Sequence, residues 1–211
     1  MGQRGRDVAV WALAPLCAIC LAQPAPALNL VANPGFEANA DADVVPDAWQ
    51  APMDMVAWDK AVSHSGGYSL RFTNTDKATY RLITQSLPLK AGARYRVSVW
   101  VRGQDVRDGD EYDDGAGICL EWYNAAGKWV GGSYPACVKG TFSWRPVTIE
   151  TGELPPQTAG GHVAVYLRRN NTGTAWFDDV VVEEVSRRCC KHTCCRRPIA
   201  AKSAGPRWAR R

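Results

Sequence analysis

Asn29-Leu30-Val31-Ala32-Asn33-Pro34-Gly35-Phe36-Glu37 reads as a short apolar strand that runs into a hard stop. Leu28 and Leu30 begin it. The Asn33-Pro34-Gly35 turn ends it, because Pro34 has no N–H to donate to a helix or a ladder. Phe36 then returns to an interior, with the Glu37 carboxylate directly behind it. Upstream lies an apolar leader, and downstream a strand-rich body that closes at Ala175-Trp176-Phe177-Asp178-Asp179-Val180-Val181-Val182.

The body alternates with the two-residue period of strands. After a candidate strand at Met53–Asp59 and a glycine turn at Ser63–Gly67, Tyr68, Leu70 and Phe72 share one face against Ser69 and Arg71. Tyr80–Leu87 continues as strand. Tyr95, Val97, Val99 and Val101 then oppose Arg96, Ser98, Trp100 and Arg102. Ile118, Leu120 and Trp122 oppose Cys119, Glu121 and Tyr123, and Phe142–Ile149, Val163–Arg169 and Trp176–Val185 complete the set. No stretch holds a helical period. Many short strands between Gly, Pro, Asn and Asp turns predict an all-β fold, a jelly-roll β-sandwich of two antiparallel sheets.

Charge divides the 211-residue chain. The formal net charge of +4 comes from the end, where residues 187–211 carry nine Lys or Arg and no acid. Residues 28–186 hold 14 basic and 20 acidic side chains, net −6. Phosphate binding wants a basic face, so no nucleic-acid partner is expected for the body. Arg4 and Arg6, an apolar run from Val8 to Ala22 and Ala25-Pro26-Ala27 have the parts of a secretory signal peptide over residues 1–27. The run of about 15 residues is short for a span of about 20. An uncleaved anchor is the alternative, and neither Cys17 nor Cys20 follows a lipoprotein box. The expectation is a secreted, extracellular monomer with no membrane contact beyond its leader.

An oxidising compartment would let Cys119 and Cys137 form a disulfide; two unpaired thiols are the alternative. The 187–211 tail, with Cys189, Cys190, Cys194 and Cys195 around His192, matches no standard zinc spacing. It reads as a basic, Cys-rich, disordered extension. The acids Asp108, Asp110, Asp113 and Asp114 lack the ligand spacing of an EF-hand and read as a solvated loop.

Four segments together resemble carbohydrate-binding modules of families 4, 9, 16 and 22. They are Asn33-Pro34-Gly35-Phe36-Glu37, Pro46-Asp47-Ala48-Trp49, His64-Ser65-Gly66-Gly67-Tyr68-Ser69-Leu70 and Asp178-Asp179-Val180. The resemblance covers roughly Leu28 to Val185. It implies a structural calcium ion (Ca2+) where the first and last strands meet, with Glu37 and Asp178 as side-chain ligands. Carbonyls of the Ser65–Gly67 turn and near Asn29 would complete the set, and Asp179 is the weaker candidate. Trp49 is expected to pack.

A polysaccharide or glycan partner needs flat rings for pyranose faces and polar groups for hydroxyls. The alternation sets Trp100 and Arg102, Glu121 and Tyr123, and Tyr166 and Arg168 on the non-core faces of three strands. The resemblance implies that these strands share a sheet and form the ligand-binding surface. Trp58, Tyr80, Trp129 and Tyr134 are candidates for its rim, and Trp122 is expected in the core. The reading is non-catalytic binding. No Gly-x-Ser-x-Gly elbow, zinc-protease motif or glucanase carboxylate motif is present. Relatives of such sandwiches also serve as structural or adhesion modules that bind a protein, so that reading stays open.

Overall fold

The computed structural model describes residues 28–108 and 115–185. The leader at 1–27, the Cys-rich tail at 187–211 and the acids Asp110, Asp113 and Asp114 lie outside the described residues. Nine strands are described, and they form two antiparallel sheets packed face to face, a jelly-roll β-sandwich. In chain order they are β1 (Val56–Asp59), β2 (Ser69–Asn74), β3 (Ile83–Leu87), β4 (Tyr95–Arg107), β5 (Ala116–Tyr123), β6 (Trp129–Ser133), β7 (Gly140–Glu150), β8 (Gly160–Leu167) and β9 (Thr172–Glu184). The five-stranded sheet runs β1-β2-β9-β4-β7 and the four-stranded sheet β3-β8-β5-β6. No helix among the described residues is long and apolar enough to cross a membrane.

Period-two alternation sends every other side chain into the space between the sheets. Tyr95, Val97, Val99 and Val101 of β4 are fully buried there, facing Ile118 and Leu120 of β5 and Val163 and Val165 of β8. Trp122 joins this core as expected. Phe36 is fully buried against Trp49, with ring centroids 5.0 Å apart. Burying a side chain of that size contributes about 2–3 kcal/mol.

The opening stretch is not the strand that its composition suggests. Leu28 is exposed, and Asn29 makes only an isolated bridge to Glu183. The Asn29 side chain takes the ladder positions itself: Nδ2 donates to the Val180 carbonyl at 3.0 Å, and Oδ1 accepts from Val182 N at 3.0 Å. Such side-chain bonding competes with strand pairing. The dock is available because β2 covers only Gly173–Phe177 of β9. Leu30 N donates to the Val182 carbonyl at 2.8 Å on the uncovered half. The turn that follows is clamped by two indoles, Trp49 Nε1 onto the Asn33 carbonyl at 3.2 Å and Trp58 Nε1 onto the Phe36 carbonyl at 2.6 Å. Several strand limits also differ from expectation: β1 starts at Val56 rather than Met53, β3 at Ile83 rather than Tyr80, β8 already at Gly160 rather than Val163 and β9 at Thr172 rather than Trp176. β6 has no counterpart among the expected strands.

Candidate functional site

Glu37 and Asp178 meet around Gly35. A Cβ built on Gly35 would lie 3.6 Å from Asp178 Oδ1, 3.7 Å from Asp179 Oδ1 and 3.8 Å from Glu37 Cγ. The register explains how two consecutive aspartates share one side. Ser98 pairs with Val181 but Trp100 pairs with Asp178, so β9 carries an extra residue there, and Asp179 has φ 49. A regular strand would point Asp178 and Asp179 to opposite faces; the bulge re-aims one of them. Pro34's carbonyl accepts from Val180 N at 2.9 Å and ties the opening turn to this bulge.

The carboxylates are already engaged. Asp178 Oδ2 accepts from His64 N at 2.8 Å and Ser65 N at 3.1 Å, and Oδ1 accepts from Asp179 N at 2.8 Å. Glu37 accepts from Gly67 N and Tyr68 N. His64 Nδ1 lies 2.6 Å from Asp179 Oδ2. Asp178 is fully buried, and burial pushes its carboxyl up to about 6, with the Asp179 charge adding to the rise and the backbone donors opposing it. No Lys or Arg pairs with Glu37 or Asp178 among the described residues. Hard oxygens with an unbalanced charge suit calcium. No group of three His, Cys, Asp or Glu among the described residues could hold a metal alone. A carboxylate has about four lone-pair sites, so each acid fits an ion as a one-oxygen ligand beside carbonyls or water.

The six residues expected to bind sugar do not share a sheet. Trp100 and Arg102 stand on β4, in the five-stranded sheet, while Glu121, Tyr123, Tyr166 and Arg168 belong to the four-stranded sheet or its margin. The chain changes sheets between β4 and β5, so the non-core faces of those strands lie on opposite sides of the sandwich. Trp100 and Arg102 are also occupied. His64 stacks on Trp100 with centroids 3.8 Å apart and planes 16° apart, and Trp144 meets His64 edge-on at 5.6 Å. The Arg102 guanidinium sits 5.3 Å over the Trp176 ring, whose Nε1 donates to Asp59 Oδ2 at 2.9 Å. Trp58 stacks on Tyr68 at 3.9 Å on that same sheet and is no rim of a cleft on the other.

The outer face of the four-stranded sheet is different. One cross-strand row there runs Gly132, Glu121, His162, Ser86 over β6, β5, β8 and β3. Glu121 Oε2 accepts from the Tyr123 hydroxyl at 3.0 Å, and Oε1 accepts from the Tyr134 hydroxyl. Tyr134 lies over Gly132: a Cβ there would come within 2.6 Å of its hydroxyl oxygen. Burial and then the Glu121 bond push Tyr123 up to about 12 and raise Tyr134 also, so both phenols keep their protons. His162 Nε2 lies 3.3 Å from Glu121 Oε2 yet has no hydrogen-bond partner among the described residues. Burial lowers the His162 pKa, against the opposing pull of Glu121, so its ring is neutral at pH 7. Arg168 sits 5.5 Å over the Tyr134 ring. Trp129, opposite Tyr123, is 53% exposed, and Tyr134 is 39% exposed.

Tyr166 is on this face but is 1% exposed, packed with Tyr80, Leu82, Cys119 and Cys137, so its ring is no platform for a ligand. The expected Cys119–Cys137 disulfide is not formed. Cys137 has docked over Gly117, its Sγ 2.6 Å from where a Cβ there would be. That is two residues along β5 from Cys119, an offset of about 6.8 Å, whereas a disulfide needs Cβ atoms about 3.8 Å apart. Burial pushes the Cys119 thiol up to about 12.

Two antiparallel sheets packed as a jelly-roll sandwich are an architecture found in carbohydrate-binding modules and in proteins of other roles; the class is given by the family match. The chain belongs to that class by descent: the model of the carbohydrate binding domain family matches residues 28–157. Among solved structures, a xylan-binding domain of family 22 is similar over 75% of this chain and 97% of its own, at 16% identity and TM-score 0.54. The family 22 xylan-binding domain of Paenibacillus barcinonensis Xyn10C is similar over 72% of this chain and 92% of its own, at 14% identity and TM-score 0.50. The enzymatically active domain of bacteriophage CBA120 tailspike protein 4 shares the fold over 74% of this chain, at 11% identity and TM-score 0.54. The chain spans only 21% of that tailspike domain. No curated protein matches the chain.

Proposed function

We propose that this chain binds a polysaccharide or glycan, without transforming it, on the outer face of the four-stranded sheet. The observation that carries the reading is Glu121, held by two tyrosine hydroxyls beside a half-exposed tryptophan. Trp129 and Tyr134 offer apolar ring faces to a pyranose. Tyr123 and Tyr134 spend their protons on Glu121, which fixes the carboxylate and leaves it lone pairs for sugar hydroxyls. His162 Nε2 supplies a further buried polar atom without a protein partner, the kind of group that a bound hydroxyl satisfies. This network contains one carboxylate, whereas glycoside hydrolysis ordinarily works with two. Secretion belongs to the same reading and rests on the composition of residues 1–27. So does a calcium ion held by Glu37 and Asp178, which would offset the charge of Asp178 and Asp179 and pin the opening turn to β9.

Affinity electrophoresis of the full chain through gels containing xylan, mixed-linkage β-glucan, β-1,4-galactan or mannan tests the proposal. Retardation on at least one polymer is expected, with no release of reducing ends from any of them. Unretarded migration on all four would overturn the binding reading.

A further inference from the structure

One row beyond Glu121, the four-stranded sheet pairs Tyr123 of β5 with Gly160 of β8. Tyr123 carries a ring outward there, and Gly160 carries nothing. A Cβ built on Gly160 would meet only the Leu87 carbonyl oxygen, at 3.7 Å. The surface opens at this point into a groove lined by Tyr123, Asn124, Gly127, Ala159, Gly160 and Ser86. Its volume of about 540 Å³ falls within the range of roughly 300–1,000 Å³ that holds small ligands.

The groove offers chemistry that the Glu121 face lacks. Asn124 Oδ1 accepts from Ala126 N and Lys128 N, both at 3.0 Å, as part of the β5–β6 turn. Those two bonds assign the amide orientation and leave the Asn124 NH2 as a donor. Neither that NH2 nor the exposed Ser86 hydroxyl is spent in a hydrogen bond among the described residues. Tyr123 is shared, with its hydroxyl on Glu121 and its residue lining the groove.

We propose that this groove is a second sugar subsite, and that Gly160 is the residue that keeps it open. The inference rests on the glycan-binding reading above and deepens it. The ligand is then a linear chain of at least two sugar residues crossing Tyr123. One residue gives hydroxyl protons to Glu121, and the next offers hydroxyl or ring oxygens to Asn124 and Ser86. Single sugars fill half of the site and bind weakly.

The test uses the full chain and Gly160→Val on whichever of xylan, mixed-linkage β-glucan, β-1,4-galactan or mannan retains the wild type, with short and long oligosaccharides cut from it. Gly160 has an ordinary backbone conformation, so valine is sterically allowed in the strand. Wild-type affinity should climb with chain length, and Gly160→Val should flatten that climb, ending about tenfold weaker on the longest oligosaccharide. Asn124→Asp keeps the turn-forming oxygen and replaces the amide donor with a charged acceptor, so it should give a smaller loss of the same kind. This second variant decides the matter if valine lowers the unfolding temperature. Length dependence unchanged in both variants would overturn the groove and leave the Glu121 face standing. A wild type that binds none of the four polymers would overturn both.

Discussion

The two outer faces of the sandwich are built from the same residue types and have opposite fates. On the five-stranded sheet the rings are partnered within the protein. His64 covers Trp100, Arg102 covers Trp176, and the acids beneath them hold backbone N–H groups. On the four-stranded sheet Glu121 is braced by Tyr123 and Tyr134, while Trp129 stays half exposed and the buried His162 nitrogen has no hydrogen-bond partner among the described residues. An aromatic residue at an outward position is therefore no sign of a site until its neighbours are known. The first face spends its polar chemistry on the fold, and the second keeps some for a ligand.

That contrast can be broken most forcefully at the bulge. If Glu37 and Asp178 hold calcium, an ion at 100 times its dissociation constant adds about 2.7 kcal/mol, and EGTA should lower the thermal midpoint by about 5–10 °C. The folded chain should still bind glycan, and Asp178→Asn should lose the calcium response. A midpoint indifferent to EGTA would remove the ion from the account. On the opposite face, Trp129→Ala should weaken polysaccharide binding about 30-fold, the loss of an anchor worth ~2 kcal/mol. Its thermal midpoint should move little, because Trp129 is already 53% exposed.

Trp100→Ala should do the reverse. Urea titration is expected to show a loss of about 1–2 kcal/mol from the missing stack, while gel retardation is unchanged. Weakened binding in this variant would collapse the distinction between the faces. The smallest effect concerns His162, whose pKa is lowered by burial from its ordinary 6.5. A base held below its unfolded pKa contributes fully above about pH 6.5, and that contribution is lost as pH falls. Between pH 7 and 5 the wild type should therefore lose stability that His162→Gln does not lose. Parallel acid profiles for the two proteins would show that His162 carries no such dependence.

The strands were legible because alternation is a local property. Tyr95, Val97, Val99 and Val101 face the core as their spacing requires, and so do Ile118, Leu120 and Trp122. The acid pair was legible through its family motif, although the bulge that aligns Asp178 with Asp179 leaves no mark in composition. His162 was missed because β8 was started at Val163; extending the same alternation back to Gly160 puts His162, Ala164 and Tyr166 on one face. Trp129 and Tyr134, expected at the rim, lie on the edge strand β6 and directly after it, beside Glu121. Cys137 was expected on Cys119 and instead covers Gly117.

Composition and two-residue periodicity were enough to specify which side of β4 and of β5 faces the core, since pleating depends only on a residue's own place along its strand. They carried no information on which strands become neighbours. The partition of β4 from β5 and β8 follows from packing across the whole domain, where one crossing between sheets moves a face to the far side of the molecule. That long-range choice separated Trp100 from Glu121, covered Tyr166, and left Trp129 beside Tyr123.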